Sequence, residues 1–215
     1  MRKVNVCVPV LNRYDLLVEL LESLKRSTIK VDCVYVVDNG HQWQKVEKAF
    51  EAWDGLWKVH EQTPPMSVAA SWNWFLDNVD EERFIVNDDV TFAPDSIRKM
   101  LEQSASFVSC GFGFSCFLIR HACVRLIGRF DEMISPGYAY FEDRDYLRRM
   151  RQRGLKDDVV QCGVSHGQSK TLEAYSPEQL QAHHRKFIIA QENFLKKWGS
   201  LDEDTPRQFM EGVNA

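Results

Sequence analysis

Arg83-Phe84-Ile85-Val86-Asn87-Asp88-Asp89-Val90 is the stretch that decides the fold. A short apolar run delivers an amide and two carboxylates at its end. An uninterrupted apolar run suits a strand buried on both faces, as strands of parallel sheets are. In open α/β sheets, ligands sit at the carboxyl edge of such strands. Clustered hard oxygen atoms there suit Mg²⁺ or Mn²⁺ bridging to phosphate. Paired Asp residues also form ordinary turns, so the flanking sequence has to choose between the two readings.

Upstream, Val4, Val6, Val8 and Val10 alternate as a first strand. Asn12-Arg13-Tyr14-Asp15 then opens a helix with Leu16, Leu17, Leu20, Leu21 and Leu24 on one face. A second apolar run, 31–37, ends in the turn Asp38-Asn39-Gly40. Residues 42–53 read as helix and 57–60 as a short strand. Pro64-Pro65 breaks the chain, and Ser67 caps a helix to about Leu76. Pro94 fits the first position of another helix, to about Gln103. The first hundred residues thus alternate strand and helix, which predicts an α/β fold with a mostly parallel, Rossmann-like sheet flanked by helices.

The second half is more irregular. A strand is expected over 114–119, a short helix over 121–127, a loop-rich segment over 128–139 and a helix over 140–153 that Gly154 ends. Val159-Val160 makes a last strand leading into Ser165-His166-Gly167. Ser176-Pro177-Glu178-Gln179 is a capping box for a helix to about Lys197. One compact domain over 1–199 is expected, with a nucleotide-binding half to about 105, a substrate half after it, and a polar tail over 200–215.

The 215 residues, 44% hydrophobic, support one sizeable core. A net charge of −4 supplies no field to hold nucleic acid or an anionic membrane. No signal peptide or transmembrane stretch is expected. The six cysteines form no Cys-x-x-Cys pair and read as free core thiols of a reduced, cytoplasmic protein. No Ser nucleophile elbow appears, and Gly111-Phe112-Gly113-Phe114 lacks the pattern of a dinucleotide site.

Several motifs occur in one order. Val6 to Arg13 ends a strand in Pro9-Val10-Leu11-Asn12-Arg13. Val36-Val37-Asp38-Asn39-Gly40 ends the next. Ser67 to Asn73 is a helix start rich in small residues, then come Asn87-Asp88-Asp89, Gly128-Arg129-Phe130-Asp131-Glu132, Phe141-Glu142-Asp143-Arg144-Asp145, Ser165-His166 and Lys197-Trp198-Gly199. Together they resemble the family 2 glycosyltransferases of the GT-A fold over about residues 3–199. Two departures stand out. The family's metal motif, often Asp-x-Asp, begins with Asn87 here, and Ser and Trp replace the Gly and Arg usual in the 67–73 segment.

The resemblance implies a metal-dependent, inverting transfer from a nucleoside-diphosphate sugar, on family frequency a UDP-sugar, to an acceptor hydroxyl. It implies donor contacts from Pro9, Val10, Asn12, Arg13, Asp38, Asn73, Asn87 and Asp88. Asp89, with His166, would hold Mn²⁺ or Mg²⁺. Asp143 would be the general base with Glu142 beside it. Segment 131–143, with Gly137, Tyr138 and Tyr140, would close over the acceptor. The acceptor could be a saccharide, a cell-surface precursor, a protein or a hydroxymethylated base in phage-type DNA. The run Arg144, Arg148, Arg149, Arg151 and Arg153 slightly favours an anionic one.

The chemistry suits the roster, because a leaving diphosphate needs a cation and an attacking hydroxyl needs a base. Each residue also has a simpler reading. Asp38 serves as a turn former, Glu142 and Asp143 as helix N-terminal acids, and His166 as a loop histidine. The arginines read as a solvated face, and Trp72 and Trp74 as core or cleft wall. The order of the motifs favours the joint reading. A nucleotidyltransferase and a catalytically silent sugar-nucleotide-binding module remain as alternatives. Oligomeric state is not legible.

Overall fold

The computed structural model describes residues 3–137, 139–167 and 170–201. Its strands are β1 (Val4–Val10), β2 (Cys33–Asp38), β3 (Leu56–Glu61), β4 (Glu82–Val86), β5 (Val90–Thr91), β6 (Phe107–Ser109), β7 (Cys116–Ile119), β8 (Asp158–Val159) and β9 (Ser165–His166). Its helices are α1 (Tyr14–Lys25), α2 (Glu47–Glu51), α3 (Val68–Asn78), α4 (Ser96–Leu101), α5 (His121–Ile127), α6 (Glu142–Gln152), α7 (Lys170–Glu173) and α8 (Pro177–Trp198). Seven strands form one sheet in the order β3-β2-β1-β4-β7-β6-β8, with β5 and β9 in a separate two-stranded ribbon. The four strands β3-β2-β1-β4 are mutually parallel, β7 runs antiparallel to β4 and β6, and β8 returns parallel to β6.

Alternation along the strands divides the core between the two faces. Val4, Val6, Val8 and Val10 of β1, Val34 and Val36 of β2, and Phe84 and Val86 of β4 pack against α1, α2 and α4. Cys7, Val37 and Ile85 point the other way, toward Trp72 and Phe75 of α3 and Tyr146 and Met150 of α6. Trp72 belongs to this core, stacking near Phe114 and Phe130. All six cysteines are buried and free.

The start of β4 is charged rather than apolar. The fully buried Arg83 guanidinium donates to the carbonyls of Val79 and Leu76 at the end of α3, where a helix terminus favours a cation. Glu82 is paired with Arg120 at 3.0 Å.

Two helix ends are built as the sequence suggests. Ser67 Oγ accepts from Ala70 N to cap α3, and Ser176 with Gln179 forms a full capping box on α8. Elsewhere the structure departs from expectation. Residues 42–53 form only a 3₁₀ turn and the five-residue α2. The strand expected over 114–119 begins at Cys116, after a 3₁₀ turn. The polar tail beyond Leu201 and the expected loop residue Tyr138 lie outside the described residues.

The long α8 closes the fold by gripping α6. Asp145, fully buried, accepts from Trp198 Nε1 at 2.9 Å and Arg149 Nε at 2.8 Å, and pairs with Lys197 Nζ at 2.6 Å. Lys197 also reaches Asp131 at 2.6 Å. Gly199 ends the helix at φ 76°, a left-handed conformation open to glycine. Lys197-Trp198-Gly199 is therefore the latch of the C-terminal helix. The same contacts correct the reading of the arginine run. Arg149 serves Asp145 and the Ile127 carbonyl, and Arg148 stacks over Phe194 and Trp198 and donates to Ser200 O. Arg148 and Arg149 thus serve contacts within the fold, while Arg151 and Arg153 are exposed.

A hydrogen bond to a buried carboxylate is worth about 1.5–3 kcal/mol. Trp198→Phe keeps the ring packing and removes that bond, so urea unfolding should show a loss of this size, and Asp145→Ala a larger one. An unchanged midpoint in Trp198→Phe would remove the latch from the account.

Candidate active site

Four chain segments meet at the carboxyl edge of the parallel strands. The turn after β1 lies beside the turn after β2, since Asn39 N donates to Val10 O at 2.9 Å. A Cβ at Gly40 would stand 1.8 Å from Leu11 O, so only glycine permits this approach. β4 lies next to β1 and delivers Asn87-Asp88-Asp89 alongside. The β5–β9 ribbon then brings His166 opposite Val90.

The carboxylates at this edge differ in what satisfies them. Asp38 is wholly buried and accepts from the Tyr14 hydroxyl and from Gly40 N and Trp43 N, each amide at 3.1 Å. Its oxygens hold the β2 turn in shape. Tyr14, which the sequence reading passed over, is the residue that joins this turn to α1. Asp88 is also buried, but without such donors. Burial first, and then the charge of Asp89, pushes its carboxyl up to about 7. Asp89 Oδ1 is buried, accepts no hydrogen bond, and stands 3.1 Å from His166 Nε2. Gly167 N donates to Asp89 O at 2.9 Å, and a Cβ on Gly167 would crowd the Asp89 Cβ at 3.3 Å.

This is the environment a divalent ion would fit. It holds an orphaned carboxylate oxygen, an imidazole nitrogen facing it, and a neighbouring acid whose proton a cation would displace. Among the described residues no group of three His, Cys, Asp or Glu side chains forms a complete metal cage. Two protein ligands leave room for the phosphates and waters that Mg²⁺ and Mn²⁺ keep.

The remaining expected donor contacts divide. Asn12 and Arg13 lie at the mouth of the edge. The Arg13 guanidinium is forked onto Asp15 at 2.7 and 2.9 Å and donates to Lys170 O at 3.0 Å, tying α7 over the first turn. Pro9 and Val10 are strand residues, and the Val10 side chain belongs to the core. Asn87 N is held by Ser115 O at 2.9 Å. Asn73 is a correction. Its amide is buried and committed, donating to Phe130 O at 3.0 Å and Glu132 Oε1 at 2.8 Å while accepting from Phe130 N at 2.8 Å. It clamps the 128–132 segment and does not face a ligand.

Glu142 and Asp143 form the other acidic group, in the first turn of α6. Glu142 is buried and its Oε2 has no hydrogen-bond partner. Burial, then the neighbouring Asp143, pushes it up to about 8. Burial also raises Asp143, which is half-buried, but Arg144 opposes this through its backbone N–H at 2.8 Å and its guanidinium charge. Burial thus raises both carboxyls of this pair, so the pair holds a proton more readily than free carboxylates do. The two residues before them, Tyr140 (φ 93°) and Phe141 (φ 68°), are both left-handed, a strain that marks functional sites.

A mostly parallel sheet in this order, flanked by helices, is an α/β fold of GT-A type. The model of the family described as "Glycosyl transferase family 2" matches residues 5–198, and the chain belongs to that family. Among curated proteins none matches the sequence. Solved structures match the fold at low identity. A mannosyltransferase from Pyrobaculum calidifontis, in complex with GDP-Man and Mn²⁺, is 15% identical with a TM-score of 0.62, covering 93% of this chain and 76% of its own. Glucosyl-3-phosphoglycerate synthase from Mycobacterium tuberculosis, in complex with Mn²⁺, UDP and glucosyl-3-phosphoglycerate, is 13% identical with a TM-score of 0.62, covering 94% and 82%. TarS from S. aureus is 16% identical with a TM-score of 0.60, covering 96% and 77%. No helix among the described residues is long and apolar enough to cross a membrane.

The raised Glu142 has a consequence for stability. A group whose folded value exceeds its ordinary 4.5 stabilises the fold below that pH and loses the contribution as pH climbs through about 8. Urea unfolding of the metal-free protein should therefore show wild type losing stability relative to Glu142→Gln between pH 5 and 8. Parallel curves for the two proteins would contradict the buried, protonated Glu142.

Proposed function

We propose that this glycosyltransferase moves a sugar from a nucleoside-diphosphate donor to an acceptor hydroxyl with inversion, using a divalent ion held by Asp89 and His166 and Asp143 as the base. The observation that carries the reading is the buried Asp89 Oδ1 just beyond β4, which accepts no hydrogen bond and stands 3.1 Å from His166 Nε2. Asn12, Arg13, Asn87 and Asp88 line the same edge and would contact the nucleoside diphosphate, with Asp38 shaping the wall through its turn.

When bound, the ion would neutralise charge on the diphosphate. The chain's own residues supply the rest. Asp143 takes the proton of the acceptor hydroxyl as that oxygen attacks. Glu142 keeps its proton, so no second negative charge repels the attacking oxygen. The strained turn at Tyr140 and Phe141 sets the direction in which α6 presents both. The relatives with bound nucleotides include both UDP and GDP-Man, and a UDP-sugar is the first donor to try. A saccharide hydroxyl is the acceptor the reading favours. The internal use of Arg148 and Arg149 and the net charge of −4 give DNA no evident purchase.

Two measurements test this. NDP release should be followed with UDP-glucose, UDP-GlcNAc, UDP-GalNAc and GDP-mannose in Mn²⁺. At least one donor should turn over slowly even without acceptor, and failure of all would favour a silent binding module. Calorimetry of the matching nucleotide should then show tight binding in Mn²⁺, weak binding in EDTA, and weak binding by Asp89→Ala in either. Equal affinity in all conditions would sink the metal assignment.

A further inference from the structure

The N-terminus of α6 lacks the usual means of fixing a helix start. Its cap residue is Phe141, which makes no side-chain capping hydrogen bond and sits at φ 68°. Tyr140 before it sits at φ 93°. Consecutive left-handed residues with large side chains persist only where the surroundings over-determine them. Here the surroundings are one face of α8. The Tyr140 hydroxyl is 2.7 Å from His183 Nε2, and the Tyr140 ring meets His183 and Phe187 edge-on at 5.1 Å each. Phe141 packs on Phe187 and Phe194 at 5.3 Å. On the other side, Ser135 Oγ donates to Ala139 O at 2.8 Å. Among these anchors the Tyr140–His183 bond is the only directional one from α8, and it fixes the residue two places before Glu142.

We propose that His183 is a positioning residue for the transfer: through the Tyr140 hydroxyl it holds the strained 140–141 turn, and so sets where α6 places Asp143. This rests on Asp143 being the base. Neither residue touches the reacting atoms. Tyr175, whose ring lies 5.8 Å from that of His183, borders the same contact from the segment before α8. The sequence gives no sign of this pairing, since forty-three positions separate the partners.

The test uses the full chain with Mn²⁺ and the donor of the panel above that releases NDP fastest. Tyr140→Phe keeps the ring and its packing but removes the hydroxyl. His183→Ala removes the partner, and His183→Gln restores a polar group near Nε2. A small misplacement of a catalytic group can cost up to about 10²-fold, so Tyr140→Phe and His183→Ala should each lower kcat about ten- to a hundredfold with the donor KM unchanged. The double variant should be no slower than either single one, because both remove one interaction. His183→Gln should recover most of the rate. Amide exchange over Glu142–Asp145 should quicken in Tyr140→Phe and His183→Ala and slow again in His183→Gln.

Asp143→Asn is the reference. If it is slow while Tyr140→Phe and His183→Ala keep wild-type kcat, the tether is overturned and the base stands. Loss in His183→Ala without recovery in His183→Gln, or a rise in donor KM in step with the rate, also overturns the tether. If Asp143→Asn turns over normally, or no donor turns over at all, the functional reading fails and this inference falls with it.

Discussion

Three adjacent parallel strands, β2, β1 and β4, are buried on both faces, and Asp38, Asp88 and Asp89 gather at their carboxyl edge. Side chains of β1, β2 and β4 enter the core on both faces, and a charge among them would have no water to solvate it. Acidic residues therefore gather where the strands end, and each must find donors or a cation there. Asp38 finds three donors within the chain and becomes a turn builder. Asp88 and Asp89 do not, and burial, then the charge of Asp89, pushes Asp88 up to about 7. Satisfied and unsatisfied carboxylates thus stand side by side on the same edge.

The acceptor side obeys a different constraint. α6 carries five arginines or acids in its first two turns and little apolar surface of its own, so it relies on neighbours. α8 supplies them twice. Lys197 and Trp198 seize Asp145, and Phe187, Phe194 and His183 hold the turn that precedes Glu142. One helix thus fixes both α6 and the left-handed residues that precede it. Arg144 over Phe141 and Arg148 over Phe194 and Trp198 spend the cations on aromatic faces, where they add to this attachment.

Much of this was legible in the chain. The valine alternation, the apolar run to Asp38 and the caps at Ser67 and Ser176 are local signals, and each formed the element it announces. The pairing of Asp89 with a distant His166 was legible only through motif order, since the β5–β9 ribbon that joins them has two residues per strand. β6 was missed for the same reason, being three residues long. Asn73 was misread because an Asn on a helix looks alike whether it clamps a backbone or faces a ligand. Tyr14 and His183 gave no signal, because their partners are brought to them by tertiary contact alone. The arginine run looked like a surface, while the structure turns two of its members inward.

The central claim is that Asp89 and His166 form the metal centre of the transfer. Pulsed electron paramagnetic resonance of Mn²⁺, bound with UDP to protein labelled with ¹⁵N-histidine, tests it without reference to turnover. The account predicts a nitrogen hyperfine coupling from one directly bound imidazole, lost in His166→Ala and kept in His183→Ala. A bound Mn²⁺ with no such coupling, or a coupling that survives His166→Ala, would contradict it.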